Sequence, residues 1–525
     1  MNRWFVPGFL AVMALALALR LPQLQLRPMH NDEAVNAMKF RALWSGNNYK
    51  YDPNEFHGPT LPYCTLPSAW LSHSWDFNDF DEATFRVMTS IFGAALIVLL
   101  LLLTPDFGRA ETLWAGSFIA LSPAMVFYSR YYIHEMLLVF FTALAAAAWW
   151  RQGRTGRFGW CALAGVGLGL MWATKETFIF ALFSLALGAG SASGWTRWRG
   201  GSGREDGARW SMKSWTAMLG IAVTVAMLLF SSVLKNPAGL AAALETYRPW
   251  MHRVEGASPH VHPWNFYFER LLFYRAQGGP VWSEGLVAAL AVVGFAASLA
   301  GWQLGAVNVM LARLIAFYTG WMTLCYTVLP YKTPWCLLGF WHGMILLAAI
   351  GAAVMVRCCK QPPIKLVVTV LLAAGTVQLG WQAWRSSFAV DNGGVPYCDS
   401  AKNPYTYSQT VPDVFRLIQM VDALARASHT GYGTVIEVMS PESYWPLPWY
   451  LRRFTSIGYW DKIPAQPLAP IMIVSTGLQA AFDEKPGRTH LMAGYFELRP
   501  NVFFELYVSV DLWAKYLKTL PQEKD

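Results

Sequence analysis

Two adjacent carboxylates, Asp32 and Glu33, stand in the stretch HNDEAVNAMKFRALW, about ten residues beyond the first long apolar run. Five further stretches set ionisable residues against apolar runs: His57 in EFHGPTLPY; Arg130, His134 and Glu135 in SRYYIHEML; Lys175 and Glu176 in ATKETF; His260, His262 and Glu269 in HVHPWNFYFERL; and Tyr331 and Lys332 in LPYKTPW. Two lysines and an arginine near a headgroup plane suit a phosphate or pyrophosphate. A carboxylate beside them suits removal of a proton from a hydroxyl. His57 and His262 with a carboxylate also admit a divalent metal, although His-x-His is a weak pattern. Tyr331 and Glu135 fall into the same supporting group. Trp264, Tyr267, Trp335 and Trp341 suit stacking on a sugar or gripping an isoprenoid tail, while packing is the commoner role of such rings.

Each feature has a plainer explanation. Carboxylates favour helix N-termini, which accounts for Asp32 and Glu33 as a pair. The residues after them (Val35, Met38, Leu43, Trp44) suit a helix lying along a membrane interface. Lys175 and Lys332 at span ends fit snorkelling. Intramembrane ionisable groups are nevertheless rare unless they pair or serve a site. Carboxylates, imidazoles and cations from so many connectors suggest one shared cleft.

The elements that must position these residues are membrane spans. Hydrophobic residues make up 55% of the 525 and charged residues 14%, against roughly a quarter in soluble chains. About eleven spans are expected near 4–20, 87–103, 112–128, 136–150, 160–174, 177–193, 215–234, 284–302, 313–329, 335–355 and 366–384. No small-residue cleavage site follows the first run, so it reads as a retained span rather than a signal peptide. Dense basic connectors (Arg151, Arg154, Arg157; Arg197, Arg199, Arg204, Arg209, Lys213; Arg357, Lys360, Lys365) point to the cytoplasm, with the N-terminus on the same side. The loops 21–86 and 235–283, the turns near 130, 175 and 332, and the tail then face outside. The net charge of +9 fits this loop bias and lipid headgroups, not nucleic acid. The seven cysteines lack metal-ligand spacing, and only Cys64 and Cys398 are candidates for an outside disulfide.

The chain divides into 1–385, the membrane domain, and 386–525, a tail where charge returns. VPDVFRLIQMVDALARA carries a helical stripe, TVIEVMS and IMIVST read as buried strands, and VDLWAKYLKTL as a closing amphipathic helix. A small α/β domain fits this order. YCDSAKNPYTYSQ reads as its linker. ESYWPLPWYLRRF suits a cover for the cleft or a glycan-binding segment, with Trp445 and Trp449 as domain core the alternative.

HNDEAV, FHGPTLPY, SRYYIHEMLLVFF, WATKETFIF, HPWNFYFERL and LPYKTPWCLLGFW together resemble the GT-C glycosyltransferases of family 39, which include protein O-mannosyltransferases and the lipid A aminoarabinose transferase. HGP, YKTPW and the tail motif YWPLPWYLR resemble a poorly characterised branch, sometimes labelled flippase-associated, still more closely. At 57–59 the chain has His-Gly-Pro where the aminoarabinose-transferase pattern has Glu-Lys-Pro. The resemblance implies transfer of a sugar from a polyprenyl-phosphate carrier to a lipid, glycan or protein hydroxyl, outside a bacterial-type inner membrane. It gives Asp32 the base role, Glu33 a supporting role and Glu135 a second acidic position. Lys175 and Lys332 become cations for the carrier phosphate, with Arg130 beside them. Direct attack would invert the anomeric centre. Nothing resembles a Gly-rich nucleotide loop, so no nucleotide cofactor is expected. The rival is a transporter or flippase of a lipid-linked sugar, which would favour midplane charges and inverted repeats. A membrane scaffold displaying the tail is a third class.

Overall fold

The long apolar runs fold as helices. In the computed structural model, residues 3–46, 49–54, 57–201, 210–248, 260–466, 469–484 and 487–521 are described; Arg204 and Arg209 lie outside them. Helix occupies each of the eleven expected span positions, from Phe5–Arg20 to Pro362–Phe388. Six of the described helices are long and apolar enough to cross a membrane, or seven counting one bent pair. Phe5–Arg20, Phe158–Trp172 and Gly285–Ala300 are apolar but shorter. The protein is thus predominantly helical with several membrane-length helices, and eleven crossings remain a proposal.

The described chain forms two compact units. The first comprises residues 1–24, 42–71 and 83–407; the second comprises 25–41, 72–82 and 408–525. This grouping differs from a single cut at 385. Residues 386–407 fold with the helices because Tyr405, 1% exposed, donates its hydroxyl to Glu284 at 2.8 Å. The expected linker is therefore a packed segment. Residues 25–41 and 72–82, which follow the first helix, fold instead with the tail.

In the helical unit, burial separates central from lipid-facing helices. Pro334–Cys358 is 89% buried over its apolar window, and Pro362–Phe388 only 17%. A helix apolar all round with one side uncovered suits lipid contact. Gly285–Ala300 crosses Leu338–Cys358 closely: a Cβ on Gly294 would lie 1.9 Å from Leu347 O, and one on Gly351 2.0 Å from Leu290 O. Small residues at such crossings let backbones approach.

The segment expected as one span at 112–128 is broken. Arg109–Leu121 and Pro123–Ser129 meet at 59°. Pro123 interrupts the helical hydrogen-bond ladder. The carbonyls freed near the break accept from Arg20, which reaches Ile119 O at 2.7 Å and Ala120 O at 3.1 Å. Glu284 caps the second half by accepting Ala124 N–H at 2.9 Å and Ser122 Oγ–H at 2.5 Å. This fixed bend delivers the chain to Tyr131, Tyr132 and the His134–Thr155 helix.

The tail folds around a five-stranded sheet, ordered β2-β1-β3-β5-β4. The strands are β1 Ile436–Met439, β2 Ile457–Trp460, β3 Ile471–Ser475, β4 His490–Arg499 and β5 Val502–Ser509. β1 is parallel to β2 and β3, while β5 runs antiparallel to β3 and β4. Strand alternation sends Ile471 and Ile473 to the core holding Val414, Leu417, Val421 and Leu424 of the Asp413–Ala427 helix, and Met472 and Val474 to the other face. The stripe helix, the two buried strands and the closing helix Val510–Leu517 match the sequence expectation.

Candidate active site

Three of the expected motifs meet in the helical unit. Gly58 N–H donates to Thr174 O and Thr60 N–H to Ala173 O, each at 3.0 Å, so the His-Gly-Pro segment pairs with the turn before Lys175. Gly58 is required by proximity: a Cβ there would lie 2.1 Å from Ala173 O. His134 Nε2 donates to Gly58 O at 3.1 Å. His57 Nδ1 donates to Glu176 Oε2 at 2.9 Å, and the His57 and His134 rings meet edge-on at 5.2 Å. Lys175 and Glu135 form an ion pair with both side chains 7% exposed.

The charges settle accordingly. Burial alone would raise the Glu176 pKa, but His57 and then Lys175 outweigh it and bring it down to about 2. Burial alone would lower the Lys175 pKa; the Glu135 carboxylate outweighs this and holds it well above the ordinary value. Glu135 also lines an apolar pocket walled by residues such as Leu96, Val139, Ile315 and Leu346. Thr177, Trp335, Cys336 and His342 line it too.

A second cluster gathers around Lys332. Val261 and Tyr331 form an antiparallel bridge, with His262 N–H on Pro330 O at 3.0 Å and Lys332 N–H on His260 O at 2.8 Å. Tyr407 Oη lies 2.8 Å from His260 Nδ1 and 3.1 Å from His262 Nε2. One hydroxyl proton serves only one of these rings, so the other ring donates to the oxygen. Lys332 Nζ donates to Leu329 O and, at 3.4 Å, to His262 O. Arg270 lies 3.7 Å from the Phe266 ring centroid. Burial lowers the His262 pKa, and the cations Arg270 and Lys332 add to that shift with His260. Lys332 and Arg270 thus stand near the two imidazoles, with Glu269 the carboxylate acting on Arg270, whereas Lys175 is paired directly with Glu135.

Some expected site residues have other partners in the structure. Arg130 is spent on backbone: its Nη1 donates to Arg20 O at 2.9 Å and Pro22 O at 2.8 Å, and its Nη2 to Gln23 O at 3.1 Å. Through these contacts it closes the end of the first helix. His57 and His262 do not share a metal site, because His57 serves Glu176 and His262 serves Tyr407. Among the described residues no group of three or more His, Cys, Asp and Glu side chains is placed to hold a metal.

Asp32 and Glu33 lie in the tail-containing unit, at the start of the Asn31–Trp44 helix. Glu33 is fully buried. Its carboxylate accepts His30 N–H at 2.8 Å and pairs with Arg27 Nη2 at 2.9 Å. Asp32 N–H donates to His30 Nδ1 at 3.1 Å, while its side chain is exposed with no hydrogen bond or ion pair among the described residues. The helix buries Ala34, Ala37 and Phe40 rather than the Val35, Met38, Leu43 and Trp44 stripe. Within the pair, Asp32 is chemically available and Glu33 is structural.

Sequence reasoning left Arg270 and Tyr407 out of the site. Their signals are faint: an arginine within an aromatic run, and a tyrosine in a supposed linker.

The fold defined by these helices and the tail sheet is that of the GT-C membrane glycosyltransferases, as the motifs suggested. A family model described as Dolichyl-phosphate-mannose-protein mannosyltransferase matches residues 65–235, the part holding Arg130, Glu135 and Lys175. ArnT from Cupriavidus metallidurans, solved bound to undecaprenyl phosphate, aligns with a TM-score of 0.64 over 99% of this chain and 100% of its own, at 13% identity. The oligosaccharyltransferase of Archaeoglobus fulgidus tethered to an acceptor peptide gives 0.56 over 87% of this chain and 64% of its own, at 11% identity. AglB of the same organism, in complex with an inhibitory peptide and a dolichol-phosphate, gives 0.51 over 86% and 64%, at 12% identity. At these identities the likeness is one of fold. No curated protein matches the chain.

Proposed function

We propose that the protein is a membrane glycosyltransferase that moves a sugar from a polyprenyl-phosphate carrier to a hydroxyl of a lipid, glycan or protein. The observation that carries this reading is the apolar pocket with Glu135 in its wall, paired to Lys175. Such a pocket suits an isoprenoid tail, with charged residues at the tail's phosphate end. Carriers of this kind are seen bound in the ArnT and AglB structures.

The reaction assigned to the site is a single displacement. The acceptor oxygen attacks the anomeric carbon and gives its proton to the Asp32 carboxylate. The bond from that carbon to the phosphate oxygen breaks, polyprenyl phosphate leaves, and the anomeric centre inverts. Lys332 and Arg270 steady the charge developing on the leaving phosphate. Lys175 contributes once the phosphate competes with Glu135. His57, held by Glu176, fixes the Lys175 turn. No step is routed through a metal, since the expected ligands serve different partners.

By the basic connectors, the N-terminus and residues 197–213 and 357–365 are cytoplasmic, and the site and tail face outside, in a bacterial-type inner membrane. The test is incubation of purified protein with radiolabelled polyprenyl-phosphate sugar and membrane extract, followed by product analysis. A labelled glycoside is expected from wild type. Movement of the lipid across a bilayer with no glycoside from any acceptor would favour the flippase instead.

A further inference from the structure

The tail grips the loop that carries Asp32 within one compact unit. Met29 is fully buried and its backbone is held on both sides: its N–H donates to Tyr450 Oη and its carbonyl accepts from Thr410 Oγ1, each at 2.8 Å. One residue later the Glu33 and His30 contacts begin. The anchored backbone at 29 and the exposed carboxylate at 32 are therefore separated by one short capping turn.

The neighbouring residues of the same tail motif hold the other loop segment. Arg452 Nη2 donates to Phe80 O at 2.5 Å, and Trp449 Nε1 to Glu82 Oε1 at 3.2 Å. The Trp449 ring is fully buried, edge-on to Phe77 at 5.9 Å and with the Arg452 guanidinium 3.7 Å from its centroid. Phe80 in turn meets Phe40 of the Asp32 helix at 6.3 Å. Trp449 has no free face for a glycan, so the acceptor role considered for this motif loses its principal ring.

We infer that Tyr450 and Thr410 are positioning residues for the transfer reaction, fixing the Asp32 carboxylate through the Met29–His30 backbone. This rests on the assignment of Asp32 as the base. A base works only within hydrogen-bond reach of its proton, and small displacements of a reacting group carry large rate penalties. Two side-chain hydroxyls on one buried peptide segment, three residues before the carboxylate, are placed to set that reach.

The experiment is a mutant cycle in the full-length protein, with kcat, carrier KM and thermal unfolding measured for each variant. Tyr450→Phe and Thr410→Val each remove one hydroxyl, and Thr410→Ser retains it. The expected result is a drop of about 10-fold in kcat for the first two at unchanged carrier KM, with Thr410→Ser close to wild type. In an Asp32→Asn background, adding Tyr450→Phe should cause no further loss, because the group it positions is already disabled. Wild-type kcat in both Tyr450→Phe and Thr410→Val, or a loss that multiplies fully with that of Asp32→Asn, overturns the inference. Asp32→Asn at the wild-type rate overturns the base assignment itself, whatever the tail variants do.

Discussion

The ammonium of Lys175 and the carboxylate of Glu135 neutralise each other out of contact with water, each side chain 7% exposed. From sequence, Lys175→Met looks like a mild change that keeps the apolar stem. The pair makes it severe. Removing one partner of a buried ion pair costs about 3–5 kcal/mol, because the other charge is stranded. Lys175→Met should therefore lower the thermal midpoint in detergent, and Lys175→Met with Glu135→Leu should recover most of the loss without recovering transfer. An unchanged midpoint in the single variant would show that the pair is not formed.

Asp32→Asn and Glu33→Gln should separate chemistry from structure. Asp32 is exposed, so its amide should fold normally while kcat falls by about 10²–10⁴-fold. Glu33→Gln weakens the charge-assisted contacts to Arg27 and His30, each worth about 1.5–3 kcal/mol. Its signature is a lower unfolding midpoint with a smaller rate loss. The two unfolding curves and the two kcat values decide it.

Carrier phosphate binding should depend more on the Lys332–Arg270 group than on Lys175. Lys332→Met and Arg270→Met are each expected to weaken undecaprenyl-phosphate binding by roughly 10- to 150-fold, the equivalent of one charge-assisted hydrogen bond. Titration of the purified protein in nanodiscs measures this. Wild-type affinity in both variants would return Lys332 to a helix-capping role, its ammonium already being on Leu329 O.

Stability should fall on the acid side through Glu176. Its folded pKa, brought to about 2 from 4.5, lies below the unfolded value, so the unfolded chain binds the extra proton as pH drops. The stabilisation is full above pH about 4.5 and is lost as pH approaches 2. Thermal midpoints measured across that range should decline in wild type. Glu176→Gln should start lower and decline less.

Orientation can be read from thiols once burial is considered. Cys358 is exposed and should react with a membrane-impermeant reagent only after permeabilisation. Cys398, 4% exposed, should stay unlabelled in the folded protein and is a poor reporter of the outer face. Ser72→Cys, at an exposed position, should label in intact cells. Labelling of Cys358 without permeabilisation would invert the topology.

The helices were legible because each is an uninterrupted apolar run, and Ser122–Pro123 even carries the signal for the break that was read through. In the tail, β1 and β3 showed as short β-branched runs. β4 and β5 were missed although a tight turn joins them, where Asn501 takes φ +67°. The site was legible as motifs but not as pairings. His57 and His262 looked equivalent as imidazoles near span ends. What assigns His57 to Glu176 is the capture of Gly58 and Thr60 by the carbonyls of 173 and 174, a contact no local spacing encodes. Arg130 is ambiguous in sequence for a related reason: a cation near a span end looks the same whether it awaits a phosphate or closes a helix.

The hydrogen bonds from Met29 to Thr410 and Tyr450 join positions 381 and 421 residues apart. During synthesis at about 5–20 residues per second, roughly 20–80 s separate the emergence of the Asp32 loop from that of its partners. The helices from Glu82 to Phe388 are made within that interval, before the carboxylate proposed as the base has its final support. On the proposed reading, catalytic competence arises last, as a checkpoint on completed translation of the tail. A ribosome that stalls before Thr410 would leave a carrier-binding membrane domain without its chemistry.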